Sequence, residues 1–280
     1  MTDRGRIFQL FKYIVYALLT INVFVFFAEE WAASAHRFNN GVDLAHIIEG
    51  YAASIDTAAW VVLLLMFELE TYVLDDDQFT PRVTWGLHGL RAFCYLFIVY
   101  AFYGYLSKLL FLSASIPLAG SSDICTLVNG EWAYAVDLDE YVVLTAANCS
   151  GFSQASSFLQ FPGLSAMVDQ AGFTGIIRLA WVDVINSGVW LLVVLVLEAD
   201  VRLQEHGKLE GAFLRISNAG KYVLYATLLL AAIYWTAKGD FVDSWDAYLW
   251  LIAFVFIELN VFDWRRESLE EQKLAPNPVM

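Results

Sequence analysis

A chain of 280 residues is long enough for one or two soluble domains, but 59% hydrophobic against 16% charged residues does not suit a surface facing water. A net charge of −14 argues against nucleic acid as a partner and against docking on anionic lipid through a basic patch. The apolar residues gather in six runs, near 10–28, 54–74, 88–112, 176–201, 219–237 and 245–264. Each is close to the ~20 residues a helix needs to cross a bilayer, so the expected class is an all-α integral membrane protein solvated by lipid.

The first run opens on Lys12, with Tyr16 four residues on. Its basic start resembles a cleaved leader, yet Lys12-Tyr-Ile-Val-Tyr16-Ala is echoed by Lys221-Tyr-Val-Leu-Tyr225-Ala deep in the chain, which identifies it as a retained helix. The loop at 29–53 holds His36 and His46 beside Glu29, Glu30, Asp43 and Glu49, donors that can ligate a metal but without diagnostic spacing. The second run carries Asp56, Trp60, Glu68 and Glu70, and ends in the acidic turn Asp75-Asp76-Asp77. The third opens on Arg91 and Tyr95 and includes Cys94, a small core residue. The long segment 113–175 follows, rich in Ser, Gly and Asp. Its Cys125 and Cys149 share one extracytoplasmic loop with no competing thiol, so a disulfide is expected. The fourth run carries Asn186, Trp190, Glu198 and Asp200; the fifth opens on Lys221 and Tyr225; the sixth carries Asp246, Trp250, Glu258 and Asn260.

The even-numbered runs therefore repeat one signature: Asp or Asn, Trp four residues on, Glu eight further, then Glu, Asp or Asn two beyond. The odd-numbered runs repeat a base and a Tyr. Three copies of both patterns predict a single transmembrane domain over 1–280. It would consist of six helices as three tandem hairpins, about 8–74, 88–201 and 219–264, with an approximate threefold internal repeat and an extracytoplasmic insertion at 113–175. Most Lys and Arg, from Arg4 and Arg6 through Arg82 and Arg202 to Lys273, fall on one side, leaving Arg37, Lys108, Arg178 and Lys238 on the other. That bias places both termini in the cytoplasm, as in a bacterial inner membrane. The acids show no such bias. The outer half is consequently the more negative, as either a solvated surface or a vestibule that concentrates cations.

On a helical wheel, Glu68 and Glu70 lie about 200° apart, whereas Asp56 and Glu70 share a face roughly 21 Å apart along the axis. Two roles follow. The separate Glu of each hairpin is expected to pair with the base that opens the partner helix: Lys12 with Glu68, Arg91 with Glu198, Lys221 with Glu258. The stripe positions, Asp56, Asn186 and Asp246 at one mouth and Glu70, Asp200 and Asn260 at the other, are the candidates for a cation path, with attraction at entry and several weak sites. The Trp residues read as interfacial or packing positions.

The functional expectation is a cation-permeable channel or carrier for a monovalent or divalent cation, assembled as a homo-oligomer or within a membrane complex. The alternative is a non-catalytic membrane subunit or scaffold that docks a partner complex through 113–175. No P-loop, Gly-rich nucleotide motif, nucleophile elbow or mid-membrane His pair is present in the sequence, so neither an enzymatic reaction nor a cofactor is predicted.

Overall fold

The computed structural model describes residues 3–37, 47–70, 80–118, 123–153, 157–205 and 211–256, with isolated positions 74, 78 and 155. Helices α1 (Asp3–Arg37), α2 (Ile47–Gly50), α3 (Ala52–Glu68), α4 (Pro81–Ser113), α5 (Cys149–Phe152), α6 (Gln170–Glu205) and α7 (Gly211–Lys238) precede α8, which is helical over 241–256. Helix ends follow local chemistry. Thr80 caps α4 by accepting from the Val83 N–H at 3.4 Å, and Pro81 follows at the first helical position, where a missing N–H costs nothing. The α6 start is fixed by Asp169, whose Oδ1 accepts from the Gly172 N–H at 2.6 Å. A Cβ at Gly172 would lie 2.7 Å from Val168, so only glycine allows that approach. Gly239, at φ 86°, ends α7 with its N–H on the Thr236 carbonyl and the Asp240 N–H on the Trp235 carbonyl.

Among the described residues four helices are long and apolar enough to cross a membrane: Arg6–Ser34, Pro81–Ser113, Gln170–Asp200 and Gly211–Lys238. This corrects the six-span, three-hairpin arrangement and the threefold repeat built on it. The apolar runs at 54–74 and 245–264 have the composition of full spans. But α3 is helical for only 17 residues, from a non-helical Tyr51 (φ −130°, ψ 32°) to Glu68. Beyond Glu68 the α-helical pattern gives way to a π turn at 69–70, and 71–73 lie outside the described residues. Residues 257–264 of the sixth run lie outside the described residues.

The helices share one core. Leu19, Leu64, Ile98, Val193, Leu228 and Ala253, one from each of α1, α3, α4, α6, α7 and α8, are all buried in the same cluster. Helix α3 packs on α1 and α4, and α6 on α4 and α7. The opposite faces remain apolar: Phe24, Leu96, Leu110, Leu195 and Leu230 are each more than half exposed. In water such faces would forfeit about 25 cal/mol for every Å² left unburied; against hydrocarbon they cost nothing.

The 113–175 insertion folds into a cap. Five short strands, β1 (Ile116–Pro117), β2 (Ala133–Ala135), β3 (Tyr141–Val143), β4 (Phe158–Gln160) and β5 (Ala166–Asp169), form one sheet in the order β1-β4-β5-β2-β3. β2 and β5 are parallel and the other pairs antiparallel. Cys125 and Cys149 form the expected disulfide, Cα atoms 5.1 Å apart. It borders a small core of Ile124, Tyr134, Leu144, Phe158 and Met167. On its other side the sheet joins the helices, where Leu138, Phe161 and Val168 pack with Leu109, Ile176, Ala232 and Trp235. The cap is thus seated on α4, α6 and α7 at one end of the bundle.

Candidate functional site

A cavity of about 400 Å³ lies between the cap and the helix ends. Its floor is aromatic. The Trp60 ring centroid is 5.9 Å from that of Trp190 and 6.2 Å from that of Trp250, and Phe254 sits 4.5 Å from Trp190. Asp56 and Asp246 each stand one helical turn above their Trp, at the i, i+4 spacing that places two side chains on one face. Asn186 holds the same place on α6. Three signature segments, distant in the chain, thereby contribute Asp56, Asn186 and Asp246 to one cavity.

The walls add acids that the signature does not contain. Glu29 and Glu30 come from α1, Asp183 from α6, Asp240 and Asp243 from the α7–α8 junction, and Asp137, Asp139 and Glu140 from the β2–β3 turn. Ten carboxylates line the cavity, and among the described lining residues Lys108 is the single base. Lys108 Nζ is 2.9 and 2.8 Å from the two Asp139 oxygens and ties the β2–β3 turn to α4.

Several of these groups have structural partners. Glu30 closes the start of α3, accepting from the Ala53 N–H at 2.9 Å, from the Ser54 N–H at 3.1 Å and from the Ser54 hydroxyl. A carboxylate at that point also meets the positive end of the helix dipole. Asp246 Oδ1 accepts from Asn22 Nδ2 of α1 at 2.8 Å. By contrast, Asp56 Oδ1 and Asn186 Oδ1 are buried with no hydrogen-bond donor among the described residues. Outside the spans, burial pushes the Asp240 carboxyl up from the usual range; Asp137 and Asp139 push the same way, against hydrogen bonds from Asp243.

The opposite end of the bundle carries the remaining predicted site residues, and there acids meet bases. Lys12 Nζ lies 2.6 Å from Glu68 Oε1, which also accepts from the Tyr13 hydroxyl at 3.0 Å. The Arg91 pair is corrected: Arg91 binds Glu70 at 2.6 Å rather than Glu198. Lys221 lies 3.1 Å from Asp200, while its expected partner Glu258 lies outside the described residues together with Asn260. Asp200 further accepts from Ser217 Oγ at 2.6 and 2.8 Å. Glu198 turns outward to Arg202 on its own helix. The reason is rotational: residues two apart on a helix face about 200° apart, so the two acids of a pair cannot both meet the same neighbouring helix. In α6 the acid that meets α7 is Asp200, and the base of α4 faces the end of α3 instead of α6. Glu70 and Asp200 are therefore neutralised, not presented as an open ring.

The aromatic floor and its three polar residues carried a sequence signal, the recurrent Trp and its preceding Asp or Asn. The wall acids were visible only as excess negative charge in the outer half. Among the described residues no three His, Cys, Asp or Glu side chains form a metal-holding group. The His46 position and the His36 side chain lie outside what is described. Comparison with protein-family models, with curated proteins and with solved structures finds no match to this chain.

Proposed function

We propose that this chain is a membrane carrier that takes up cations from the extracytoplasmic side into the acid-lined cavity beneath the cap. The observation that carries the reading is the convergence of Asp56, Asn186 and Asp246, from three separate helices, on a cavity with ten carboxylates and one already paired base. Such an excess of one sign, walled by low-dielectric protein, raises the local concentration of the opposite sign. A carrier fits better than an open channel. Below the Trp floor the helices close on a packed cluster that includes Leu64, Ile98 and Val193, and beyond it Glu68, Glu70 and Asp200 are each held by a base. Passage then requires the helices to rearrange. The disulfide in the cap and the bias of Lys and Arg along the sequence support an extracytoplasmic cap.

The test is uptake of cations into vesicles reconstituted with the purified protein. The double substitution Asp56→Asn and Asp246→Asn keeps side-chain shape and removes two charges from the floor. It is expected to lower uptake about tenfold or more, while Glu198→Gln, on the far side of the bundle, leaves it unchanged. Absence of cation flux under every applied gradient and potential would end the carrier reading. A scaffold that docks a partner through 113–175 would then take its place.

A further inference from the structure

We infer that the ligand of the cavity is an organic alkyl diammonium ion, bound by N–H donation to buried oxygens and by contact of its carbon chain with the Trp floor. This inference rests on the carrier reading only for the site, not for transport. Four features point to it. First, Asp56 Oδ1 and Asn186 Oδ1 are buried acceptors with no donor among the described residues. A buried acceptor without a partner loses its solvation uncompensated, and a primary ammonium brings three N–H donors to satisfy such groups. Second, the floor beneath them consists of indole rings. A Trp nitrogen is a donor only and ligates no metal, but a Trp face attracts an organic cation and its adjoining methylenes. Third, about 400 Å³ far exceeds a bare ion, since one water occupies about 30 Å³, and no metal-holding group forms among the described residues. Fourth, the acids occupy two levels, Asp56 and Asp246 on helices above the floor, and Asp139 and Asp240 on the turns at the rim.

The protein supplies its own precedent. Lys108 is itself an alkylammonium at this rim. It is 8% exposed overall, and its Nζ holds both Asp139 oxygens. A diammonium with a short methylene chain repeats that arrangement. One ammonium lies against Asp56 and Asn186 with its adjoining methylenes against the Trp faces below, and the second ammonium turns toward the rim acids.

The experiment is titration of the full-length protein in detergent with 1,4-diaminobutane, 1-aminobutane, tetramethylammonium, K⁺ and Ca²⁺, followed by Trp fluorescence and calorimetry. The expected order places 1,4-diaminobutane at least about tenfold tighter than 1-aminobutane, and both tighter than tetramethylammonium, which has no N–H. Asp56→Asn is expected to weaken the diamine by about tenfold or more; Asn186→Ala, which removes an Oδ1 acceptor with no donor among the described residues, weakens it by a smaller factor while leaving the unfolding temperature unchanged. Ca²⁺ or K⁺ binding as tightly as the diamine, or an unaltered diamine affinity in a folded Asn186→Ala protein, would overturn the ligand class. Binding of metal ions without the diamine overturns this inference and leaves the carrier reading standing. Diamine binding without flux does the reverse, and absence of any cation binding removes both.

Discussion

The two ends of this helical bundle treat acidic side chains in opposite ways. At the end away from the cap, Glu68, Glu70 and Asp200 each meet a base across a helix–helix contact at 2.6 to 3.1 Å. At the cap end, ten carboxylates surround a cavity where Lys108, the single base among the described lining residues, is already held by Asp139. A neutralised buried charge fixes how two helices pack, and its partner explains its presence. At the cap end Glu30, Asp139 and Asp246 have partners in the protein, but the remaining like charges oppose folding, and in the proposed reading a cation from outside relieves them.

The largest effect is expected at the most buried pair. Lys12 and Glu68 are 2% and 8% exposed at their side chains. Lys12→Met leaves Glu68 buried without its cation and should destabilise the protein by about 3–5 kcal/mol. Adding Glu68→Gln should recover most of the loss. Denaturant titration in detergent measures both, and a single variant as stable as the parent would break the structural assignment of this end.

The cap should respond next. Cys125 and Cys149 are 24 residues apart in sequence. Their replacement by Ser frees a loop of that length in the unfolded chain and should cost about 3 kcal/mol. Because the cap supplies Asp137, Asp139 and Glu140 to the cavity, limited proteolysis within 113–175 should rise together with a loss of cation affinity. Proteolysis without loss of affinity would detach the cap from the site.

At the cap end the comparison also predicts an unusual pH response. Asp240 is raised from an ordinary 3.8 by burial first, then by Asp137 and Asp139. Between about 3.8 and the raised value, the folded protein keeps a proton at Asp240 that the unfolded chain has released. Its contribution to stability is fully present below about 3.8 and declines as pH rises through the raised value. Asp240→Asn, assayed without added cation, should raise the unfolding temperature at neutral pH, with the gain vanishing in acid. A gain independent of pH would mean that the charge is not the cause.

How much of this was legible in the sequence follows from the same contrast. The floor was legible because a recurrent Trp preceded by Asp or Asn marks equivalent heights on three helices, and Asp56, Asn186 and Asp246 do meet. The pairing of bases with acids was legible in partner for Lys12 and Glu68, but only in kind for Arg91. Whether Glu198 or Asp200 faces α7 depends on the rotation of α6 about its axis, which packing sets and residue spacing leaves open. The α-helical length of α3 was overread, because an apolar run does not show where an α-helix gives way; α3 is α-helical only to Glu68 although Leu69 continues the run. The rim was least legible. Strands of two to four residues carry too little alternation to be seen, and the sheet order β1-β4-β5-β2-β3 delivers the β2–β3 turn to the cavity through crossovers that no local pattern encodes.

The smallest effect belongs to Glu198, and it tests the comparison most finely because this residue shares its motif position with Glu68. The Arg202–Glu198 pair is 2.8 Å long, but its side chains are 72% and 50% exposed and belong to one helix at i, i+4. Water already solvates both groups, and holding two long side chains together costs rotamer entropy, so Arg202→Ala should shift stability by no more than about 0.5 kcal/mol, a shift that fades further in salt. Lys12→Met, made at the equivalent contact of a different helix pair, should be insensitive to salt because its charges are out of reach of solvent ions. Equal losses at the two sites would show that exposure does not distinguish these carboxylates. The division of the bundle into a neutralised end and a ligand-facing end would then lose its physical basis, since that division depends on burial converting an unpaired charge into a cost.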